Sequence, residues 1–290
     1  MSGPVAEEAR AKINLTLRVL GKRADGYHEL QSLVVFAGIR DRLTAREAGD
    51  FKLDLTGPFA AALEGEADNL VLRAARALGE AAGFMGGAHL TLEKNLPIAS
   101  GIGGGSADAA AALRALTRLW HVAPGDKMLA RIAATLGADV PVCLLSRPAL
   151  MWGRGESLAP LAALPRFWLV LVNPGVALST AAVFRELAAP ALDGVPDDPQ
   201  PPPFATLSDL VAWLTTEGND LEAPARALAP EIGEVLTAMA STAECRLSRM
   251  SGSGATCFGI YPGEEEAREV ARTLKAAHPN WWVEASAAGA

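Results

Sequence analysis

The chain has 290 residues; half of them are hydrophobic, a fifth are charged, and the net charge at pH 7 is −7. This composition is typical of a globular protein with a sizeable core, divided into one large or two ordinary domains. The negative charge argues against a broad nucleic-acid-binding face, which would need clustered Lys and Arg, so we expect no nucleic-acid partner and only a local site for any phosphate.

The sequence features that bear on location favour the cytoplasm. The three cysteines are widely spaced and form no Cys-x-x-Cys pair, which is typical of reduced thiols. Glu7 and Glu8 lie where a signal peptide would need an apolar segment. Phe167–Phe184 is long enough for a membrane span, but Asn173-Pro174-Gly175 interrupts it, so strand, turn and helix are predicted there. We therefore expect a cytoplasmic protein without a membrane partner.

The N-terminal part is predicted to form strands. Apolar and polar residues alternate over Ala11–Leu20, which predicts a half-buried strand with Lys12 and Asn14 on its exposed face. A polar loop follows over residues 21–30. Further antiparallel strands are predicted over Gln31–Phe36, Arg42–Arg46 and Phe51–Leu55.

The rest of the chain mixes helices and strands without regular βαβ alternation, which favours an α+β fold. Pro190–Pro203 contains six prolines and three aspartates and is predicted to be a stiff, exposed connection without core. Helices are predicted over Asn69–Gly79, Ser106–Trp120, Asp126–Gly137, Ser179–Leu187, Ser208–Thr215, Glu231–Ala240 and Glu264–Ala277. Strands are predicted over Ala88–Lys94, Phe167–Val172, Cys245–Arg249 and Trp281–Ala285.

The stretch Asn95–Leu113 has four glycines, at positions 101, 103, 104 and 105, directly ahead of Ser106 and an alanine-rich helical run. Glycine allows positive φ and a close approach of the backbone to a ligand. A helix N-terminus adds unpaired N–H groups and a partial positive charge, so the stretch predicts a cradle for a phosphate. The alternative is a flexible turn with Ser106 as N-cap, but four glycines exceed what a cap needs.

This loop differs from two common phosphate-binding motifs. No lysine follows the last glycine, as the loop of nucleoside triphosphatases requires, and Ser106 replaces the last glycine of the dinucleotide fingerprint. The Leu96-Pro97 lead-in with Gly-Gly-Gly-Ser-Ala-Asp resembles a third design, the phosphate loop of the galactokinase, homoserine kinase, mevalonate kinase and phosphomevalonate kinase superfamily. The loop therefore favours a small-molecule kinase.

Four further residues or groups of residues are candidates for chemistry. Arg249–Thr256 is a second glycine-serine loop, either a plain hairpin turn or a loop that closes over the nucleotide. Asp139, ahead of an apolar run, is either a turn former or the base that takes the proton of an alcohol. Lys12 is either an ordinary strand lysine or the cation that neutralises phosphate charge. Tyr27 and His28 either pack on the surface or hold a base by stacking and hydrogen bonding.

Five segments in the same order resemble the motifs of the 4-diphosphocytidyl-2-C-methyl-D-erythritol kinase family. The N-terminal signature is Ala-Lys-Ile-Asn-Leu at 11–15 with Gly-Lys-Arg-Ala-Asp-Gly-Tyr-His-Glu-Leu at 21–30, of which Lys-Arg-x-Asp-Gly-Tyr-His is the specific part. The other four are the glycine loop from Leu96, Gly137–Pro141, Asn219–Glu222 and Met250–Ala255. Together they span nearly the whole chain.

The resemblance implies ATP-dependent phosphorylation of the 2-hydroxyl of the methylerythritol moiety, with Mg²⁺, in the non-mevalonate route to isoprenoids. It implies a ribosomal-protein-S5-like N-terminal domain, a ferredoxin-like C-terminal domain and a site between them; we place the domains at 1–155 and 156–290. Lys12 and Asp139 are implied as catalytic, and the substrate residues as Asn14, Tyr27, His28, Thr180 and Phe184. ATP is implied to lie near Asn69, at its adenine end, and along Pro97, Ile98, Ala99, Ser100, Gly101, Ile102, Gly103, Gly104, Gly105, Ser106 and Ala107, with Ser106 near the Mg²⁺-bound phosphates.

Two other functions stay open at this point. A sibling homoserine or mevalonate-type kinase should lack the Tyr27-His28 loop, and a non-catalytic sugar- or nucleotide-binding regulator should lack the lysine or the aspartate; all of these residues are present. The expected partner is a cytidine diphosphate-linked small molecule, and we expect a monomer or weak homodimer.

Overall fold

The computed structural model describes residues 3–65 and 68–288. The chain forms two compact units, neither of which is a single continuous run. The first unit contains the N-terminal segment up to Ala11, Ile39–Ile98 and Gly103–Ser146, and the second contains Lys12–Gly38, Ala99–Ile102 and the chain from Arg147 onward. The division into domains at residue 155 stays a prediction.

The helices and strands follow one another in a mixed order that confirms the α+β class. They are β1 (Val5–Asn14), β2 (Arg18–Lys22), β3 (His28–Ala48), β4 (Phe51–Thr56), a 3-10 helix (Ala60–Leu63), α1 (Leu70–Ala82), β5 (Gly87–Glu93), α2 (Gly104–Leu119), α3 (Asp126–Leu136), α4 (Val140–Leu145), β6 (Ala149–Gly153), β7 (Ser157–Pro160), β8 (Phe167–Asn173), α5 (Thr180–Leu187), α6 (Leu207–Glu217), α7 (Glu222–Leu228), α8 (Glu231–Ala240), β9 (Leu247–Met250), β10 (Cys257–Tyr261), α9 (Glu264–Ala277) and β11 (Trp282–Ala288).

The first unit is a sheet covered by helices. The C-terminal half of β3 pairs antiparallel with β5, and β5 pairs parallel with β4. The helix α1 that connects β4 to β5 begins as predicted, because the Asn69 side chain accepts a hydrogen bond from Val71 N at 2.9 Å. It ends at Gly83, whose φ of 63° suits glycine. Helices α1 to α4 pack on one another, and the buried side chains include Leu43, Leu78, Leu90, Leu92 and Leu113.

The second unit contains a four-stranded antiparallel sheet in the order β11-β8-β10-β9. Numbered along the chain, this order is fourth, first, third, second, with helices between the first and second strands and between the third and fourth. That arrangement is ferredoxin-like, as expected. The central strand β8 has partners on both edges: Val172 lies opposite Cys257 of β10 and Val283 of β11. The N-terminal half of β3 pairs in the same unit with β2 and β6.

Two predictions of strand bounds are wrong, for the same physical reason. The strand predicted over Ala11–Leu20 is divided between β1 and β2, because at Leu17 the backbone N–H donates to Gly218 O instead of to a neighbouring strand. Conversely, Gln31–Phe36 and Arg42–Arg46 belong to one 21-residue strand, β3. Hydrophobic periodicity reports how side chains alternate, and it does not report which backbone groups pair.

The Pro190–Pro203 segment lies outside the core, as predicted. None of its residues is buried, and it contains no helix or extended ladder. Backbone groups of the segment make hydrogen bonds to the rest of the second unit. Leu192 N donates to Lys22 O at 2.8 Å, and Asp197 O accepts from the side-chain Nε2 of Gln31 at 2.8 Å. Over the described ranges 3–65 and 68–288, helices long and apolar enough to cross a bilayer are absent.

Candidate active site

The glycine loop connects β5 to α2 and uses left-handed backbone at three positions. Ala99, Gly101 and Gly103 have φ values of 50°, 76° and 64°. Pro97, Ser100, Ile102 and Ala107 are buried, Ala99 and Gly105 are exposed, and Ile98, Gly101, Gly103, Gly104 and Ser106 are partly exposed. The loop therefore presents a mixture of glycine backbone and small side chains at its surface.

The helix after the loop begins two residues earlier than predicted. Gly103 holds the N-cap position without a side-chain cap, and α2 starts at Gly104, so Ser106 is the third helical residue and not the N-cap. The prediction failed because glycine, a poor helix former, is tolerated in a first turn where its N–H groups need no helical partner. Ala107 N donates to Gly103 O at 2.8 Å, which leaves Gly104, Gly105 and Ser106 as the residues whose amides face the helix N-terminus. The phosphate cradle stays a prediction, and these three amides are the groups that would form it.

The second glycine-serine loop connects β9 to β10, so its hairpin interpretation is confirmed. It also packs directly on the glycine loop within the second unit. Ser251 Oγ donates to Gly101 O at 3.0 Å, and Thr256 N donates to Ser100 O at 3.1 Å. A Cβ on Gly101 would lie 2.5 Å from Ser251 O and 2.8 Å from Gly254 N. Only glycine fits at position 101, because backbone meets backbone there.

We expect Gly101→Ala to lower the free energy of unfolding by about 1–3 kcal/mol, because the new methyl group combines positive φ with a clash against backbone. Thermal unfolding measures the change. Gly83→Ala is the matched control: its φ is also positive, at 63°, but no atom lies within 4 Å of the added Cβ. If both variants lose the same stability, the contact between the two loops contributes nothing.

A buried ion cluster lies beneath the start of the glycine loop in the first unit. Lys94 follows β5, Asp41 lies on β3 and Asp108 on α2, and each is at most 3% exposed. Lys94 Nζ donates to Asp41 and, at 2.8 Å, to Asp108 Oδ2, while Asp41 Oδ1 accepts from Asn95 N and Leu96 N. The cluster therefore fixes the backbone that leads into the loop.

The charges in this cluster do not balance, since two carboxyls face one ammonium. Burial raises the pKa of Asp108 to about 7, and the nearby Asp41 adds to this while Lys94 opposes it. Burial by itself would lower the pKa of Lys94, but Asp108 and Asp41 outweigh it and raise that pKa. A Cβ on Gly104 would lie 3.1 Å from Lys94 Nζ, so the cluster also borders the first turn of α2.

The predicted exposed face of the first strand is wrong: Lys12 and Asn14 are 3% and 1% exposed. Other segments of the second unit cover it. Lys12 N donates to Ile102 O at 2.9 Å, and Asn14 N donates to Ser251 Oγ at 3.1 Å. Both glycine loops thus border the end of β1, which period-two alternation could not reveal.

The carboxamide of Asn14 is oriented by its neighbour. Ser32 Oγ donates to Thr16 O at 2.5 Å, so the same oxygen must accept from Asn14 Nδ2, which lies 2.8 Å away. Asn14 Oδ1 is then an acceptor, and it is buried without a hydrogen-bond partner among the described residues. A buried acceptor of this kind is suited to a ligand hydroxyl.

The residues predicted to hold a pyrimidine gather in the second unit. The rings of His28 and Phe184 stack at 4.5 Å between centroids and 22° between planes. Tyr27 is 57% exposed, with the Arg154 guanidinium 5.1 Å from its ring centre. Thr180 Oγ1 lies 2.8 Å from Ser253 Oγ of the second loop. Burial, with a smaller contribution from the Lys22 charge, lowers the pKa of His28, so its imidazole is neutral at pH 7.

The remaining predicted residues lie in the first unit. Asp139 is half-buried and occupies the N-cap position directly before α4. Its side chain makes no capping hydrogen bond there, so its carboxyl does not cap this helix. Asn69 is 6% exposed and caps α1 with its side-chain oxygen. Within the described parts of the chain, His, Cys, Asp and Glu side chains nowhere form a group of three or more that could hold a metal ion.

Sequence reasoning missed the ion cluster and the contacts of Ser251. Asp108 carried a signal: it lies in a run of buried alanines on α2, where a carboxyl needs a partner. Ser251 carried none, because its partners Asn14 and Gly101 are 237 and 150 residues away.

Comparisons with known proteins agree along the whole chain. Residues 69–147 match the family described as GHMP kinases N terminal domain, and residues 204–280 match GHMP kinases C terminal. A 4-diphosphocytidyl-2-C-methyl-D-erythritol kinase of Parvibaculum lavamentivorans is 74% identical over 289 residues, covering 100% of both chains. One of Cereibacter sphaeroides is 57% identical over 276 residues, covering 95% of this chain and 96% of the relative.

Solved structures have the same fold. A crystal structure of 4-(cytidine 5'-diphospho)-2C-methyl-D-erythritol kinase superposes with a TM-score of 0.77 at 37% identity, covering 98% of this chain and 99% of the other. A homoserine kinase from Cytophaga hutchinsonii superposes with a TM-score of 0.69 at 17% identity, covering 99% and 95%, which shows the fold alone. As its Lys-Arg-x-Asp-Gly-Tyr-His motif predicts, this chain belongs to the 4-diphosphocytidyl-2-C-methyl-D-erythritol kinase family of the GHMP kinases.

Proposed function

We propose that this protein is an ATP-dependent kinase that phosphorylates the 2-hydroxyl of 4-diphosphocytidyl-2-C-methyl-D-erythritol, a step of the non-mevalonate route to isoprenoid precursors. The observation that carries the proposal is the 74% identity over the full length of a relative of that name. The cradle of amides before α2 and the aromatic loop at Tyr27-His28 support the two halves of the reaction, a triphosphate donor and a pyrimidine-bearing acceptor.

The triphosphate of ATP is proposed to lie on the glycine loop. The amides of Gly104, Gly105 and Ser106 point toward the N-terminus of α2, where the helix dipole also favours an anion. The adenine end is proposed to lie toward Asn69. The phosphates are then bound by local backbone amides and not by a broad basic surface, which agrees with the net charge of −7.

Three side chains are proposed to act at the reacting alcohol. Asp139 accepts the proton of the 2-hydroxyl while the hydroxyl oxygen bonds to the γ-phosphorus and the bond between that phosphorus and the leaving ADP breaks. The Lys12 ammonium offsets the negative charge that develops. Asn14 Oδ1, buried and without a partner among the described residues, accepts a hydrogen bond from a hydroxyl of the polyol. Most of the catalysis comes from positioning and charge, since phosphoryl transfer needs little covalent help.

Magnesium fits this arrangement as an ion carried by the nucleotide. The chain offers the hydroxyl of Ser106, half-buried in the first turn of α2, beside the amides proposed to hold the phosphates. When bound, Mg²⁺ neutralises charge on the phosphate oxygens.

The cytosine is proposed to bind against Tyr27, His28 and Phe184, with Thr180 beside it. The neutral imidazole of His28 offers one donor and one acceptor to the edge of the base. Tyr27 is the most exposed of the three rings and is free to cover the face of the base.

We expect His28→Ala to weaken binding of the cytidine substrate by about 1–3 kcal/mol, roughly 5- to 150-fold in Kd, and to leave ATP affinity unchanged. Isothermal titration with each ligand measures both constants. His278→Ala is the matched control, because His278 also stacks on an aromatic ring, that of Trp281 at 3.7 Å, but is not a proposed site residue. Unchanged affinity for the cytidine substrate would remove His28 from the site.

The substrate assignment is tested by a coupled assay of ATP consumption against four alcohols: diphosphocytidyl methylerythritol, mevalonate, homoserine and galactose. We expect turnover with the first and background rates with the others. Turnover with homoserine or mevalonate would indicate a sibling kinase, and no turnover with any would favour a non-catalytic binding protein.

The remaining expectations concern location and assembly. We propose a cytoplasmic enzyme with a small-molecule substrate and no nucleic-acid or membrane partner, because the net charge is −7 and the cysteines form no Cys-x-x-Cys pair. We also propose a monomer or weak homodimer, which sedimentation of the purified protein would test.

A further inference from the structure

The loop Ser251–Gly254, which we call the hub loop, contacts three sets of residues proposed to bind ligands. Ser251 Oγ accepts from Asn14 N at 3.1 Å and donates to Gly101 O at 3.0 Å. Ser253 Oγ lies 2.8 Å from Thr180 Oγ1. The position of this one loop therefore affects the glycine loop and two substrate residues together.

The hub loop holds its own conformation only in part. Gly254 N donates to Ser251 O at 3.0 Å inside the loop. Gly252 and Gly254 have φ values of 56° and 85°, and glycine has the widest choice of backbone angles of any residue. Contacts from outside the loop therefore add to its restraint.

Asn219 supplies that restraint. Its Nδ2 donates to Met250 O at 2.8 Å and to Gly252 O at 2.9 Å, so one amide group bridges both sides of Ser251. Its Oδ1 accepts from Leu221 N at 3.0 Å, which fixes the orientation of the carboxamide. Both donors of Nδ2 and one acceptor site of Oδ1 are thus engaged with backbone, so these groups serve the chain itself.

Two neighbours of Asn219 also bind backbone, one of them next to the hub loop and the other on β2. Glu222 Oε2 accepts from Met250 N at 3.0 Å, and Asp220 Oδ2 accepts from Val19 N at 2.7 Å. The Asn-Asp-Leu-Glu motif at 219–222 thus binds backbone at three separate places, Met250, Gly252 and Val19.

We propose that Asn219 is a positioning residue for phosphoryl transfer: by holding the carbonyls of Met250 and Gly252, it places Ser251 so that one hydroxyl joins Asn14 to the glycine loop. The inference rests on the proposed function for the identity of the alcohol substrate, but not for the binding of ATP. It assigns to Asn219 an effect on both ligands without contact to either.

The test compares Asn219→Ala and Asn219→Asp with the unaltered enzyme, well below their melting temperatures. In Asn219→Asp one carboxylate oxygen still accepts from Leu221 N. The other oxygen replaces Nδ2 and faces the carbonyls of Met250 and Gly252, to which it cannot donate. We therefore expect Asn219→Asp to lose activity as Asn219→Ala does. We expect both variants to lower kcat by about 10- to 100-fold, the scale of a small misplacement of reacting groups. We also expect weaker binding of a non-hydrolysable ATP analogue, measured by calorimetry.

The control is Thr206→Ala. It removes the capping box of α6, where Thr206 Oγ1 accepts from Asp209 N at 3.2 Å, at the end of the helix remote from Asn219. We expect it to lower the melting temperature and to leave kcat and ATP affinity unchanged. The proposal is overturned if Asn219→Asp is as active as the unaltered enzyme, or if the Asn219 variants lose no more activity than Thr206→Ala. If the unaltered enzyme does not phosphorylate the cytidine substrate, the proposed function fails, while the ATP-analogue titration still decides the role of Asn219.

Discussion

Asp139→Asn is expected to lower kcat by about 10²- to 10⁴-fold, the usual contribution of a general base, with ATP affinity close to that of the unaltered enzyme. The amide has the shape of the carboxylate but cannot accept the proton of the alcohol. The Asp139 side chain does not cap α4, so the exchange removes no helix cap. The melting temperature, measured beside kcat, separates lost catalysis from lost stability.

The matched control for this variant is Asp126→Asn, an exposed aspartate in the first turn of α3 in the same unit. It removes the same charge and should keep full turnover. Turnover of Asp139→Asn at the rate of the unaltered enzyme would show that another group, or water, takes the proton.

Lys94→Met is expected to cost about 3–5 kcal/mol of unfolding free energy near neutral pH, because it leaves two buried carboxyls without their cation. Asp41 and Asp108 are 0% and 2% exposed, so water cannot replace the ammonium. Urea unfolding at pH 5.5 and pH 8 measures the loss. It should be larger at pH 8, above the pKa of about 7 that Asp108 has in the folded protein, than at pH 5.5, where the Asp108 carboxyl holds its proton.

The unaltered protein has a related pH dependence. The pKa of Asp108 is about 7 in the folded chain, above its ordinary value of 3.8, so between these values the folded state holds a proton that the unfolded state has released. Stability contributed by this group therefore falls as pH rises from about 4 to 7. Asp108→Asn should flatten this slope and, combined with Lys94→Met, recover part of the loss at pH 8. A Lys94→Met loss that does not change with pH would contradict the charge argument.

The elements that the sequence predicted well are those whose signals are local. The start of the helix at Asn69, the helix after Ser179 and the bounds of Glu231–Ala240 depend on residues within a few positions of each other, and all are confirmed. The errors arose where distant segments intervene. Lys12 and Asn14 alternate as exposed strand residues do, yet residues 99–102 and Ser251 border them.

The residues of the candidate site also fall into those with a local signal in the sequence and those without one. The glycine loop, the Tyr27-His28 pair and the position of Asp139 before an apolar helix could be proposed from the sequence because each is a compact pattern. The supports beneath them were not found, since Asp41 and Lys94 are 53 residues apart and Asn219 and Met250 are 31 apart. No pattern in the sequence indicates that such residues meet; only the pairing of strands and the packing of helices bring them together.

The most direct measurement identifies the product that the purified enzyme makes from ATP and diphosphocytidyl methylerythritol, by phosphorus NMR and mass spectrometry. The account predicts one ADP for each product molecule and a new phosphate ester on the 2-hydroxyl carbon, with the diphosphate link to cytidine intact. A phosphate on any other hydroxyl, or release of inorganic phosphate without a phosphorylated alcohol, would contradict it.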